Sequence, residues 1–259
     1  MRRVVSRSDG FSLVELAVVL VVIGLIVGGV AVGQSLIKAA EVRSIQRDLQ
    51  RYQTATHTFY ERYTAMPGDM ANATSYWGAA DAGDGLGVDC TAVSSTTATT
   101  CNGSGDNKIG EAAGYYYEMF RYWQHLANAQ MVEGTYTGVT GSGSTRHCTL
   151  GTNCPKSRVT GTGFSVQYYA AADASFLGSI KGTLLFYGAS NSTSVTNSAA
   201  LIPEDAWSID VKLDDGFPGH GDLQQYTNAT LANCITDAST FQLSVKSKAC
   251  AFIYNLKVK

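Results

Sequence analysis

Residues 11–33 read FSLVELAVVLVVIGLIVGGVAVG, and this stretch sets the interpretation of everything that follows it. Glu15 is its only charged residue. An apolar run of about 20 residues is long enough to cross a bilayer as a helix. The sequence therefore predicts a membrane-spanning helix that carries the rest of the chain.

A short polar segment precedes the apolar stretch, and the order of the two is the reverse of a secretory signal. Residues 1–10 include Arg2, Arg3 and Arg7 and end in Gly10. A secretory signal has its cleavage site after its apolar region. Cleavage directly after Gly10 would instead leave the hydrophobic helix at the new N-terminus.

Residues 10–16, GFSLVEL, strongly resemble the prepilin processing site of type IV pilins and type II secretion pseudopilins. The resemblance implies that a prepilin peptidase cuts between Gly10 and Phe11 and that the new amine of Phe11 is then methylated. It also implies that Glu15 pairs with the N-terminal amine of a neighbouring subunit. An ionised residue inside an apolar segment normally has such a partner, and a carboxylate that snorkels to water is the alternative.

Glycines in the apolar stretch form two GxxxG pairs, a spacing that lets helices approach closely. Gly24 and Gly28 form the first pair, and Gly29 and Gly33 form the second. We expect Gly24 and Gly28 to contribute to assembly. Glycine weakens a helix by about 1 kcal/mol relative to alanine, so residues 24–33 are also where the helix is expected to unwind on assembly. Ordinary glycine usage in a membrane helix is the alternative.

The helical pattern continues beyond the apolar stretch, with apolar residues at spacings of mostly three or four as far as Tyr63. Pro67 and Gly68 are expected to end it. Arg43, Arg47 and Arg51 lie four residues apart and share one face. We interpret this stripe as a solvated helix face, with a nucleic-acid contact as the alternative. The net charge of -2 gives no reason to expect a nucleic-acid partner.

The predicted fold class is α+β, with a long N-terminal stem helix packed on a C-terminal globular head that contains an antiparallel β-sheet, as in pilins. The expected parts are a leader (1–10), a transmembrane and stem helix (11–65) and a disulfide-stabilised head (66–259). A second amphipathic helix is predicted over residues 111–132. The predicted strands are 164–170, 183–187, 206–213, 241–246 and 249–258. Asp215 and Gly216 are a hairpin signal.

Six cysteines lie in the predicted head, and none is arranged as CxxC: Cys90, Cys101, Cys148, Cys154, Cys234 and Cys250. The even count favours disulfides, which an exported head can keep. Six cysteines allow fifteen pairings. Pairing of sequential neighbours is favoured because each such pair encloses a short loop rich in Ser, Thr or Gly. The last loop also resembles the disulfide-closed C-terminal region of many pilins.

Two groups of aspartates offer the oxygen ligands that calcium prefers. The first includes Asp81 and Asp84, and the second consists of Asp210, Asp214 and Asp215. The spacing of the first group does not match an EF-hand, so a plain polar loop is favoured there. A turn is favoured for the second group. No cofactor is therefore expected, and calcium is the alternative at both places.

No catalytic motif accompanies these features: GxSxG, HExxH, Walker A and dinucleotide fingerprints are missing. An enzyme is therefore not expected. The resemblance implies a structural subunit of a type IV pilus-like extracellular filament, whose partners are copies of itself, the prepilin peptidase and the pilus assembly machinery. It also implies a single inner-membrane span before assembly and a periplasmic or extracellular head. The alternatives are a minor pilin or type II secretion pseudopilin of a short periplasmic fibre, or an adhesive module on a pilin stem.

Overall fold

The computed structural model describes residues 12–80, 90, 94–111, 113–171, 176–226 and 233–258. The chain divides into two compact units, the first ending at Glu41 and the second beginning at Val42. Helix α1 (Leu13–Tyr63) provides the described part of the first unit, and its later turns belong to the second.

The later part of α1 is a core helix of the second unit. One face of it is buried, at positions three or four residues apart: Val42, Ile45, Leu49, Tyr52, Ala55, Thr56 and Phe59. Tyr63 is the last helical residue, and Thr64 then takes a left-handed conformation with φ of 52°. The predicted helix end before Pro67 and Gly68 is confirmed.

An antiparallel sheet of four strands forms the centre of the second unit. Its strands, in spatial order, are β1 (Thr162–Tyr169), β2 (Gly182–Ala189), β6 (Phe252–Asn255) and β3 (Leu223–Gln225). A separate hairpin joins β4 (Ile235–Asp237) to β5 (Thr240–Phe241). Together with α1, this sheet confirms the predicted α+β architecture of a long helix packed on an antiparallel sheet.

Shorter helices cover the remaining parts of the core: α2 (Ala73–Trp77), a 3-10 turn (Ala113–Tyr115), α3 (Glu118–Asn128) and α4 (Pro203–Leu213). Helix α3 is buried over most of its length. It is shorter than the predicted helix over 111–132, because its N-terminal turns form the 3-10 segment and Gln130 adopts a positive φ of 61° beyond its end.

The strand predicted over residues 206–213 is wrong, since these residues belong to helix α4. Ile202 is extended, Pro203 occupies the first helical turn, and Glu204 and Asp205 follow. Proline at the first position and acidic residues in the first turn both favour a helix start. Pro203, Ala206 and Ile209 are buried, and they lie three residues apart. Burial here therefore follows a helical spacing.

Three further predictions in the C-terminal part of the chain are corrected. The strand expected over 241–246 is reduced to β5, because the segment turns, with the Val245 N–H donating to the Gln242 carbonyl at 3.0 Å. Asp215 and Gly216 do not form a hairpin. They follow the end of α4, and Gly216 takes a φ of 82°. The last predicted strand contributes only β6.

The six cysteines form three disulfides between sequential neighbours. Cys90 is bonded to Cys101, Cys148 to Cys154, and Cys234 to Cys250. All six are buried. Each bridge therefore closes a short loop within the second unit.

Candidate assembly site

The N-terminus of α1 is closed by a reciprocal pair of hydrogen bonds between Ser12 and Glu15. The backbone N–H of Ser12 donates to Glu15 Oε2 at 2.8 Å. The backbone N–H of Glu15 donates to Ser12 Oγ at 3.2 Å. This is a capping box, which satisfies two backbone donors that have no partner within the helix. The carboxylate of Glu15 is thus held at the positive end of the helix dipole.

The first turns of α1 present an apolar surface that is unusually exposed. Sixteen large apolar side chains between Leu13 and Ile37 are 48% to 88% exposed. The most apolar 18-residue window of this helix has a mean hydropathy of 2.9, which is long and apolar enough to cross a membrane. An exposed apolar surface of this size marks a membrane or protein interaction site.

The glycines of this segment line open space. A Cβ placed at Gly24, Gly28, Gly29 or Gly33 would meet no side chain or distant backbone atom of the described residues within 4 Å. All four glycines are helical here. Their lack of side chains would let a second helix pack closely at these positions.

A comparison with protein families identifies this N-terminal region. Residues 5–31 match the model described as the prokaryotic N-terminal methylation motif. This N-terminal stretch of the chain therefore carries that motif. No curated protein and no solved structure matches it significantly.

The methylation motif is typical of type IV pilins and type II secretion pseudopilins. With the long N-terminal helix, it indicates a pilin-like or pseudopilin-like subunit. The motif implies processing by a prepilin peptidase. Gly10 and Phe11, the two residues of the predicted cleavage and methylation site, lie outside the described residues. Glu15 is the one residue of the predicted processing and docking group for which contacts are described.

The predicted arginine stripe lies on the exposed side of α1. Arg43, Arg47 and Arg51 are exposed, and Arg51 forms an ion pair with Asp48 at 3.4 Å. Two of them line an open groove of about 570 Å³ together with Lys156 and Arg158. Asp48 and Glu133 also line the groove, so its charge is positive overall.

Two buried carboxylates organise the loop of residues 104–110 in the head. Asp69 accepts hydrogen bonds from the Gly105 and Asn107 N–H groups at 2.7 and 2.6 Å. Glu118 accepts from the Ser104 and Gly110 N–H groups at 2.8 and 3.0 Å. Burial raises the pKa of Glu118 to about 8, and these backbone donors oppose the shift. Both carboxylates have their acceptor capacity used by the loop, which is a structural role.

His125 connects the same region to the Cys101 disulfide. Its Nδ1 accepts from the Gly68 N–H at 2.9 Å, and its Nε2 lies 3.2 Å from the Cys101 carbonyl. Since Nδ1 accepts, the proton is on Nε2, where it faces that carbonyl. Burial lowers the pKa of His125 to about 3, and the charge of Arg121 acts in the same direction. The ring is therefore a neutral structural cross-link.

Three carboxylates meet where α4 ends. The ligand atoms of Asp210, Asp214 and Asp215 lie within 4.8 Å of one another. Burial raises the pKa of Asp210 to about 7, and the charges of Asp215 and Asp214 contribute. The Gly216 N–H, which donates to Asp210 Oδ1 at 3.0 Å, acts in the opposite direction. Asp81 and Asp84, the other calcium candidates, lie outside the described residues.

Sequence reasoning missed Ser12, Asp69 and Glu118. The capping partner had a local signal, since Ser followed three residues later by Glu before an apolar run is the capping-box pattern. Asp69 and Glu118 both accept hydrogen bonds from the loop of residues 104–110. Asp69 is more than thirty residues away from that loop in the sequence. No local pattern indicates these contacts.

Proposed function

We propose that this protein is the structural subunit of a type IV pilus-like extracellular filament, assembled through its hydrophobic N-terminal helix. The observation that carries the proposal is the exposed apolar surface of residues 13–37, which contains a single capped carboxylate at its N-terminal end. In a bilayer this surface is covered by lipid, and in a filament it is covered by other copies of the same helix.

The proposed mechanism begins with removal of residues 1–10, which frees the amine of Phe11. Glu15 then guides docking, because its carboxylate is neutralised by the Phe11 amine of a neighbouring copy. Gly24 and Gly28 permit close approach between helices. Burial of the apolar side chains among neighbours keeps them from water. The partners are copies of the chain, the inner membrane before assembly, the prepilin peptidase and the assembly machinery, and the head lies outside the cytoplasm.

A Glu15→Ala variant tests the proposal in a strain that supplies the prepilin peptidase and the assembly machinery. Filaments sheared from the cell surface are imaged by electron microscopy, and their subunit is analysed by mass spectrometry. We expect abundant fibres whose subunit begins at methylated Phe11, with at least a tenfold loss in Glu15→Ala. Glu61→Ala is the matched control, because Glu61 is an exposed carboxylate of the same helix beyond the apolar segment.

The other outcomes separate the alternatives. A correctly cut and methylated protein that is rare, or that stays in the membrane fraction, supports a minor pilin or pseudopilin instead. The adhesive module would be supported by a variant in which the basic groove residues are replaced, if its fibres still form but no longer bind an acidic surface. An intact bond between Gly10 and Phe11 would refute both the major and the minor pilin assignments.

A further inference from the structure

We propose that Asp210, Asp214 and Asp215 form a calcium site at the C-terminal end of helix α4. Their ligand atoms lie within 4.8 Å of one another. Two oxygens on opposite sides of a Ca²⁺ ion are separated by about 4.6–5.2 Å, given ion–oxygen distances of 2.3–2.6 Å. The three carboxylates are therefore close enough for one ion to contact all of them.

Asp210 supplies the observation that points to a ligand. The residue is fully buried, and its Oδ2 has no hydrogen-bond partner among the described residues. A buried carboxylate oxygen without a partner costs a large desolvation free energy. Its other oxygen, Oδ1, is already used by the Gly216 N–H. A cation bound to Oδ2 would compensate for the missing partner.

The position of the cluster on the helix strengthens the need for a positive charge. The C-terminus of a helix carries a partial negative charge from its unpaired carbonyl groups, so cations rather than carboxylates are stabilising there. Asp210 is in the last turn of α4, and Asp214 is its C-cap residue. No ion pair among the described residues includes Asp210, Asp214 or Asp215. Lys212, the basic residue of that turn, contacts Ser208 instead.

The remaining hydrogen bonds hold the cluster in shape and leave oxygens available. Asp214 Oδ2 accepts from the N–H groups of Asp222 and Leu223 at 2.5 and 2.8 Å. Asp215 Oδ1 accepts from the Phe217 N–H at 2.9 Å. Each of these carboxylates keeps its second oxygen for an ion. Water would fill the other positions of a calcium ion, which takes 6–8 oxygen ligands.

Binding at this position would fix the edge of the sheet. Asp214 connects the end of α4 to Leu223, the first residue of the edge strand β3. Carboxylates alone favour a hard cation, and a partly exposed site of this charge is expected to bind calcium with a Kd on the order of 0.1–1 mM. The ion would therefore tie α4 to β3 only where calcium is abundant, as it is outside the cytoplasm.

The test uses the full-length chain in detergent at pH 7.5, first stripped of metals with EDTA and then melted with and without 5 mM CaCl₂. We expect calcium to raise the melting temperature by roughly 3–8 °C. Isothermal titration with CaCl₂ gives the affinity. Asp210→Asn and Asp215→Asn should each weaken binding by at least about tenfold.

Asp237→Asn is the matched control for Asp215→Asn. Both aspartates are exposed, and each accepts one hydrogen bond from the N–H two residues further along the chain. Asp237→Asn should leave the calcium shift unchanged. Asp214 is not substituted, because its carboxylate holds two backbone N–H groups.

A second signature distinguishes an ion ligand from a purely structural aspartate. Without calcium, Asp210→Asn should melt at the same temperature as the wild type or higher, because its amide can donate to the neighbouring carboxylates. With calcium the order should reverse. If Asp210→Asn does not fold, Asp215→Asn carries the test alone.

Three results would overturn the proposal. The first is that calcium does not change the melting temperature of the wild type. The second is that calcium raises the melting temperature of Asp210→Asn and Asp215→Asn as much as that of the wild type, and the third is that MgCl₂ at the same concentration raises the wild-type value as much as CaCl₂ does. The last would contradict the assignment to calcium, since magnesium requires ligands at 2.0–2.1 Å in octahedral geometry.

Discussion

The His125→Asn substitution tests whether a buried neutral histidine governs the response of the head to acid. Nδ1 of His125 accepts the Gly68 N–H at 2.9 Å. A proton on that nitrogen would place two donors face to face inside a fully buried site. The folded head therefore excludes the protonated ring, whereas the unfolded chain does not.

The size of the effect follows from the pKa values. Burial lowers the pKa of His125 from its ordinary value of 6.5 to about 3. Between these values the unfolded chain binds a proton that the folded chain does not, so this contribution to the free energy of unfolding is complete above pH 6.5 and is lost as the pH falls. At pH 5, about 1.5 units below 6.5, the loss is about 2 kcal/mol.

Glu118 acts in the opposite direction, so the wild-type curve alone does not isolate the histidine. Burial raises the pKa of Glu118 from 4.5 to about 8. The folded chain then binds the extra proton between these values, and this contribution to stability decreases as the pH rises through that range. The difference between wild type and His125→Asn removes the carboxylate contribution, because both proteins contain Glu118.

The assay is urea unfolding of the full-length chain in detergent at several pH values, followed by tryptophan fluorescence. Trp77 lies 5.3 Å from the ring of His125 and reports on this region. Asparagine offers an oxygen in the position of Nδ1 but loses ring volume and the Nε2 donor, so the variant should be less stable by about 2–3 kcal/mol at pH 7.5. The gap should shrink by about 2 kcal/mol at pH 5. A gap that stays constant between these pH values would refute the reasoning.

Two further predictions concern the helix cap and the last disulfide. Ser12→Ala removes the acceptor for the Glu15 N–H and should destabilise the first turn of α1 by about 1 kcal/mol. Amide exchange of residues 13–16 in micelles should therefore be about fivefold faster than in wild type or in the control Ser12→Thr, and equal rates would contradict the cap. Replacing Cys234 and Cys250 by alanine opens a loop of sequence separation 16 and should cost about 3 kcal/mol. The melting temperature of the head should fall by roughly 6–12 °C, and an unchanged value would show that the bridge does not restrict the unfolded chain.

The long helix could be predicted from the sequence because its signals are local and repeated. An apolar run continues into residues spaced three or four apart, and Pro67 and Gly68 follow. The two longest strands were predictable for the same reason, since residues 164–170 and 183–187 fall on β1 and β2. Patterns of this kind need no knowledge of what the element packs against.

Helix α4 shows where the same reasoning fails. Its sequence alternates apolar and polar residues closely enough to suggest a strand, but Pro203 and two acidic residues mark a helix start. Trp207 and Val211, which a strand would use on one face, are 42% and 49% exposed on α4. Burial of Ala206 and Ile209 favours the helix over a strand, and burial depends on the whole fold.

The polar contacts of the head were beyond sequence reasoning. His125 bonds to Gly68 across 57 residues, and Asp69 bonds to Asn107 across 38. Nothing in the composition of either segment indicates the other. The three aspartates of α4 and its turn were recognised as oxygen ligands, but the buried, unpartnered Oδ2 of Asp210 became apparent only from the fold.

Apolar burial in the stem does not by itself explain why the helix would leave the bilayer for the proposed filament. Lipid tails are as apolar as the side chains of residues 13–37, so moving this helix from a bilayer into a bundle of identical helices removes little further apolar surface from water. The preference for the bundle must then come from close packing and from polar groups. The described stem offers both: the open glycine positions, and polar side chains, among which the Glu15 carboxylate is the charged group of residues 13–37 and is only partly satisfied by its own Ser12 N–H. Substitutions at Glu15 should therefore abolish assembly while leaving membrane insertion intact, whereas apolar exchanges between Leu, Ile and Val along the same helix should change neither.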